Sequence, residues 1–172
     1  YTQNTKEEKR ATLVVSPSSL TLNWLNEAKR FAPELKVEVV RGNATERKQI
    51  IKRIDDYDIV ITSYDLLKRD IDLYREKKYN FRYIIADEAQ YLKNSTTQNA
   101  KVIKELNADT RYALTGTPIE NSLAELWSIF DFIMPGYLFT YKKFKNLYEV
   151  PIVKDNDEKA MNKLKMLIQP FI

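Results

Sequence analysis

Two acids stand side by side at Asp87-Glu88, directly after the apolar run Tyr83-Ile84-Ile85-Ala86. A carboxylate at the end of a buried strand is costly unless something pairs with it. A magnesium ion carrying nucleotide phosphates is a suitable partner, because magnesium keeps several waters and takes only one or two carboxylates. In that arrangement Asp87 holds the metal, directly or through water, and Glu88 polarises an attacking water. The pair also has a plainer reading, in which it opens a loop or caps a helix. Three further turns carry hydroxyls: Ser16-Pro17-Ser18-Ser19, Thr62-Ser63-Tyr64-Asp65 and Thr115-Gly116-Thr117-Pro118. Each is ordinary turn or capping chemistry, yet free amides and hydroxyls at a helix N-terminus are also natural phosphate contacts.

Other chemistries are excluded by composition. The 172 residues include no cysteine and no histidine. Disulfide scaffolds, Cys/His zinc sites, thiol nucleophiles and Ser-His-Asp triads therefore drop out. Hydrophobic residues at 44% and aromatics at 12% give enough apolar surface for a core. No apolar run approaches the ~18 residues of a membrane span, so no membrane partner is expected. The net charge of +4 is too small to argue for nucleic acid alone. It is uneven, with seven lysines against four acids in residues 137–172.

The elements that must position these turns follow from pattern. ATLVVS (11–16), KVEVV (36–40), DIVIT (58–62), RYIIA (82–86) and RYAL (111–114) are short β-branched or apolar runs, as expected of strands buried on both faces. Helical patterns separate them. Leu22, Leu25, Ala28 and Phe31 form one stripe over 20–31, with Trp24 beside it. Ser18 and Ser19 are its expected caps, and Asn43 with Glu46 reads as a capping box for 45–54. Helices follow over 64–74, from Ser95 and Gln98 to about 106, and over 123–133 behind Ser122 and Glu125. Strands alternating with helices predict βαβ units and a mainly parallel sheet. All four turns then share the carboxyl edge of that sheet, where open α/β folds bind ligands. After Pro135-Gly136 the strand signals stop. The aromatics at 137, 139, 141, 144 and 148 read as packing, and 155–169 as an amphipathic helix.

Taken together, LVVSPSSLTLNW, DIVITSYDLL, YIIADEAQYLKN and ALTGTPIENSLAELWSIFDFIMPGYL resemble, in order and spacing, the first RecA-like domain of SWI/SNF-type DNA-translocating ATPases of helicase superfamily two. The resemblance spans roughly residues 11–140. It implies an α/β, RecA-like doubly wound, mainly parallel sheet of about five strands flanked by helices, with a C-terminal helical extension. Asp87 and Glu88 match the DExx box, with Asp87 on magnesium and Glu88 activating water. Gln90 stands where relatives commonly have His; its amide still donates and accepts. Thr115, Gly116 and Thr117 match the block that couples nucleotide state to DNA contact. Ser16, Pro17 and Ser18, and Thr62, Ser63 and Tyr64, match two blocks that touch the DNA backbone.

The implied partners are duplex DNA, a second RecA-like domain and a DNA-bound protein substrate; the implied cofactors are ATP and magnesium. The expected location is cytoplasmic, nucleoid or nuclear, wherever the DNA is. One departure is large: no G-x-x-x-x-G-K-[ST] loop is present, the only glycines being Gly42, Gly116 and Gly136. The chain therefore reads as a fragment, with 1–136 a partial first lobe and 137–172 a helical insertion or linker toward the second. It is expected to be inactive in hydrolysis alone and to bind no cofactor tightly. Two other readings remain at this point: a non-catalytic scaffold or nucleic-acid-binding module, and a small doubly wound phosphate-binding domain.

Overall fold

A computed structural model describes residues 10–116 and 122–172. Its centre is β1 (Thr12–Ser16), whose Leu13 and Val15 point to one face and Val14 to the other, all essentially without solvent contact. Around it lie β2 (Val37–Val39), β3 (Ile59–Ser63), β4 (Asn80–Ala86) and β5 (Asn107–Ala113), in the order β2-β3-β1-β4-β5 with every pair parallel. The fold is the expected RecA-like α/β sheet.

That order fixes where the helices go. The chain leaves β1 in one direction to reach β2, then returns through β3 and β4 to β5. Right-handed crossovers place helices on opposite faces when the direction reverses. Accordingly α1 (Thr21–Phe31) packs on one face, over β2 and β3. There Trp24 and Leu25 meet Val14, Val39 and Ile61. The other face carries α2 (Ala44–Lys52), α3 (Tyr64–Lys77), α4 (Gln98–Lys104) and α5 (Leu123–Ile133). Ile51, Leu67, Ile71, Tyr74, Ala100, Ile103 and Phe132 fill the main core there with Leu13, Val15, Ile84 and Ala86.

Several local expectations are corrected. Leu22 and Phe31 of the α1 stripe are 49% and 72% exposed, and α1 has no fully buried side chain, because the helix rests on its Trp24–Leu25 side. Ser18 and Ser19 do not cap α1; they form a 3-10 turn (Ser18–Leu20) ahead of it. Thr97 rather than Ser95 caps α4, accepting from the Ala100 N–H. The Asn43–Glu46 capping box and the Ser122 cap are present as expected. β5 starts four residues earlier than RYAL, since an edge strand paired only with β4 tolerates polar Asn107, Asp109 and Thr110.

The C-terminal part is helical over a longer stretch than 155–169. A continuous helix runs through α6 (Tyr141–Phe144), a π turn (Lys145–Glu149) and α7 (Val150–Asp155) before α8 (Glu158–Ile168). Pro151 has no N–H to offer, and the wide turn lies just before it. Leu138, Phe144, Tyr148, Leu164 and Ile168 enclose a second core with Leu126, Trp127 and Phe130. Of the five aromatics Phe144 and Tyr148 are buried in this core, whereas Tyr137, Phe139 and Tyr141 stay partly exposed at its rim; α5 faces both cores, Phe132 entering the first and Phe130 the second.

Candidate functional site

β1 and β4 are hydrogen-bonded neighbours whose chains leave in opposite directions. Such a reversal opens a crevice beyond the strands' carboxyl ends. Here those ends are Ser16-Pro17-Ser18 and Asp87-Glu88. The ladder continues one step past β4, where the Asp87 N–H donates to the Val15 carbonyl at 2.8 Å. This fixes the Asp87 main chain against β1.

The Asp87 side chain is held as well. The Trp24 indole N–H donates to Oδ2 at 2.8 Å, and the Glu88 N–H donates to Oδ1 at 2.9 Å. The Tyr64 hydroxyl donates to the Asp87 carbonyl at 2.8 Å. Tyr64 is only 3% exposed, and its ring stacks on Tyr91 at 5.0 Å with 6° between planes. Burial, reinforced by the nearby carboxylate of Asp87, raises the Tyr64 pKa and keeps it a neutral donor.

Glu88 adopts a left-handed backbone, φ 50° and ψ 57°. The turn this makes leads into a 3-10 turn (Ala89–Leu92) and aims the next polar side chain back: Gln90 Nε2 donates to Glu88 Oε2 at 2.6 Å. The Thr115 hydroxyl lies 3.5 Å from Gln90 Oε1. Main-chain bonds tie the two turns together, Leu114 N–H to Ala86 and Ala89 N–H to Leu114, each at 2.8 Å. Behind the box, the Ser128 hydroxyl donates to the Leu92 carbonyl and Lys93 pairs with Glu125 at 3.0 Å, so α5 backs this loop.

The structure thus gathers Asp87, Glu88, Gln90 and Thr115 into one connected line, with Gly116 next to it. A Cβ on Gly116 would meet nothing within 4 Å, so packing does not require glycine there. Thr117 lies outside the described residues. Ser16, Thr62 and Ser63 stand at the same edge but are buried, as is Tyr64; Pro17 is half-buried and Ser18 exposed. Ser63 caps α3 through the Leu66 N–H at 3.2 Å. Trp24, Tyr91 and the left-handed Glu88 were not singled out by sequence. The only signal for Trp24 was an indole beside, rather than on, the α1 stripe.

The donor set fits a magnesium-nucleotide site. Among the described residues no three His, Cys, Asp or Glu side chains cluster, so an all-protein cage is absent. Asp87 keeps one further acceptor position on each oxygen, which suits an ion that retains its waters. A small open cleft of about 230 Å³ between Trp24, Asn23, Glu27, Leu20 and Asp87 borders it.

The SNF2-related domain model matches residues 1–172. This chain belongs to that family. It is 41% identical over 165 residues to the TATA-binding protein-associated factor MOT1 of Saccharomyces cerevisiae, covering 95% of this chain and 9% of that protein. It is 38% identical over 160 residues to the uncharacterized ATP-dependent helicase MG018 of Mycoplasma genitalium, covering 93% and 15%. The Sulfolobus solfataricus SWI2/SNF2 ATPase core in complex with dsDNA superimposes with a TM-score of 0.85 at 42% identity, over 97% of this chain and 34% of that one. The chain therefore spans a small part of these curated relatives and about a third of that solved core. Among the described residues of this SNF2-related chain, no helix is long and apolar enough to cross a membrane.

Proposed function

We propose that this chain is part of the first RecA-like lobe of a DNA-stimulated ATPase that translocates on duplex DNA and remodels protein–DNA complexes. The observation that carries the reading is the hydrogen-bonded line Asp87–Glu88–Gln90–Thr115 at the β1/β4 reversal. A small phosphate-binding domain would have no use for a pair of acids wired to a neighbouring hydroxyl turn.

In this reading the γ-phosphoryl group of ATP would pass to water with ADP leaving, and magnesium, where bound, would neutralise charge on the phosphates. Asp87 would hold the metal, directly or through water. Glu88 orients the attacking water and accepts its proton. Gln90 holds the Glu88 carboxylate and passes its orientation to Thr115, Gly116 and Thr117. The Ser16-Pro17-Ser18 and Thr62-Ser63-Tyr64 turns meet the DNA backbone. Because the Ser16, Thr62, Ser63 and Tyr64 side chains are buried, those contacts run through the main chain and exposed Ser18. Contact of this kind reads phosphate rather than sequence and weakens with salt.

The domain reading takes 1–136 as a partial lobe and 137–172 as a helical insertion toward a second RecA-like lobe, with α5 contributing to the cores on both sides of that division. The sequence has no Gly-rich Lys-Ser/Thr loop, so the chain alone is proposed to be hydrolytically inactive and to bind nucleotide weakly. It works wherever the DNA is held. Support for the DNA and protein partners comes from relatives, one an ATPase core solved with dsDNA and one a TATA-binding protein-associated factor.

The test is DNA-stimulated ATP hydrolysis by the protein expressed from its complete reading frame, with Glu88→Gln beside it. Duplex DNA is expected to raise turnover. Glu88→Gln is expected to lower it by a factor of about 100 or more while ATP still binds, the scale of losing a positioned general base. Turnover indifferent to DNA, or to Glu88→Gln, would sink the motor reading and leave the scaffold.

A further inference from the structure

We propose that Trp24 and Tyr64 are positioning residues for Asp87, through which the two DNA-facing turns bias the hydrolytic site; this rests on the motor reading above. The geometry is a grip from both faces of the sheet. Trp24 belongs to α1 on one face, and its single N–H donates to the Asp87 carboxylate. Tyr64 opens α3 on the opposite face, and its hydroxyl donates to the Asp87 carbonyl. Each helix follows one of the two hydroxyl turns: α1 comes after Ser16-Pro17-Ser18, α3 after Thr62-Ser63.

Packing alone does not account for these polar atoms. α1 has no fully buried side chain and Trp24 is half-buried, so a smaller phenyl ring keeps part of the contact with Val14, Val39 and Ile61. What no phenyl supplies is the N–H, and that N–H lands on the Asp87 carboxylate. Tyr64 is likewise held by its stack on Tyr91, which Phe would reproduce. Its hydroxyl adds a donor aimed at Asp87 rather than at solvent. With the Glu88 N–H on Oδ1 and the indole on Oδ2, the carboxylate is oriented on both oxygens. Outer partners of this kind set how well a carboxylate receives its metal, and their removal typically weakens affinity or activity about 10–100-fold. A displacement of either turn on meeting a DNA backbone therefore changes one of the 2.8 Å bonds to Asp87.

The experiment uses the protein from its complete reading frame with Tyr64→Phe, which keeps the ring and removes the hydroxyl, and Trp24→Phe, which keeps a smaller aromatic ring and removes the N–H. Three quantities are read: the magnesium concentration that half-saturates binding of a fluorescent ATP analogue, the ratio of hydrolysis with and without duplex DNA, and DNA affinity by anisotropy. Each variant is expected to raise the half-saturating magnesium about tenfold and cut the DNA-stimulation ratio by a similar factor; for Trp24→Phe, which lies outside both turns, DNA affinity is expected within about twofold of wild type. Unchanged magnesium dependence and unchanged stimulation in both variants, even with a lowered melting temperature, would show a merely structural role and overturn the proposal. If wild type itself is not stimulated by DNA, the motor reading fails separately; the magnesium arm still decides whether Trp24 and Tyr64 position Asp87.

Discussion

Replacing Glu88 by glycine should leave the fold about as stable as before, although it removes the carboxylate proposed to activate water. The reason is its backbone. A residue with a Cβ in the left-handed region, as Glu88 is at φ 50°, costs about 1–2 kcal/mol. Glycine removes that cost but gives back about 0.5–1 kcal/mol through the freer unfolded chain. It also loses the Gln90–Glu88 hydrogen bond, whose charged-group range of about 1.5–3 kcal/mol falls to about 0.5–1.5 kcal/mol because the carboxylate is half-buried and solvated in part. The terms nearly cancel, whereas a typical point mutation destabilises by about 1 kcal/mol. Lys78 is the control. It sits at φ 51° as the left-handed cap of α3, exposed, with its N–H on Tyr74 and Arg75 carbonyls. Lys78→Gly has the same backbone terms and should gain about 0.5–1 kcal/mol, raising Tm by about 1–4 °C for a chain this long. The difference between the two variants isolates the Glu88 side-chain contacts. The assay is urea denaturation at unchanged m-value. A loss of more than about 2 kcal/mol in Glu88→Gly alongside a gain in Lys78→Gly would refute the reasoning, because the Glu88 side chain would then be holding the loop rather than being held in strain.

Two further outcomes follow from the scaffold. Asp70→Asn breaks the two-pronged bond from Arg47 (2.7 and 2.9 Å, side chains 11% and 8% exposed). It should cost about 3 kcal/mol, the low end for a buried pair because Arg47 keeps its bond to the Gly42 carbonyl at 2.9 Å. Urea denaturation measures it, and the joint Arg47→Met, Asp70→Leu variant should recover most of the loss. Raised tyrosine pKa values predict alkaline instability: burial pushes Tyr79 up to about 12 and raises Tyr64 and Tyr74 as well. Their contribution is fully present below the unfolded value of about 10 and is lost as pH rises through the folded values. The ring NMR signals of Tyr64, Tyr74 and Tyr79 and the circular dichroism should therefore change together as pH rises through those folded values; early titration of these three rings with the fold intact would contradict their burial.

How much of this could be read beforehand depended on the reach of each signal. Strands such as LVVS and IVIT are apolar on both faces because parallel strands are covered on both faces, so composition alone found them. Caps act over three residues, and the Asn43–Glu46 box and Ser122 were legible for that reason. Periodicity found the α1 stripe but not what lay opposite it, so Leu22 and Phe31 were misjudged. The helix through 141–155 was hidden because the π turn shifts the repeat and Pro151 reads as a breaker. In the site, Asp87, Glu88, Gln90 and Thr115 were named from local sequence. The Trp24–Asp87 bond spans 63 residues and the Tyr64–Asp87 bond 23; no local pattern carries a pairing of that range.

The chain contains three other pairs of consecutive acids, and the fate of one of them shows that topology, not the dipeptide, makes the site. Asp55-Asp56 lies in a 3-10 turn (Ile54–Asp56) ahead of β3, at the amino end of the sheet. Both acids are exposed, and Asp56 takes up Arg53 three residues away at 2.8 Å, an ordinary surface ion pair. Asp87-Glu88 has the same charge and the same adjacency but follows the carboxyl end of β4, beside the one strand from which the chain departs the other way. At that reversal helices from both faces reach a single residue, an indole from one side and a phenol from the other. An acid pair moved to the end of β5 would have only β4 beside it, whose chain leaves to the same face, and no helix on its far side. The orientation of Asp87 is therefore a property of the strand order, which is why its two holders lie in segments so far from it in sequence.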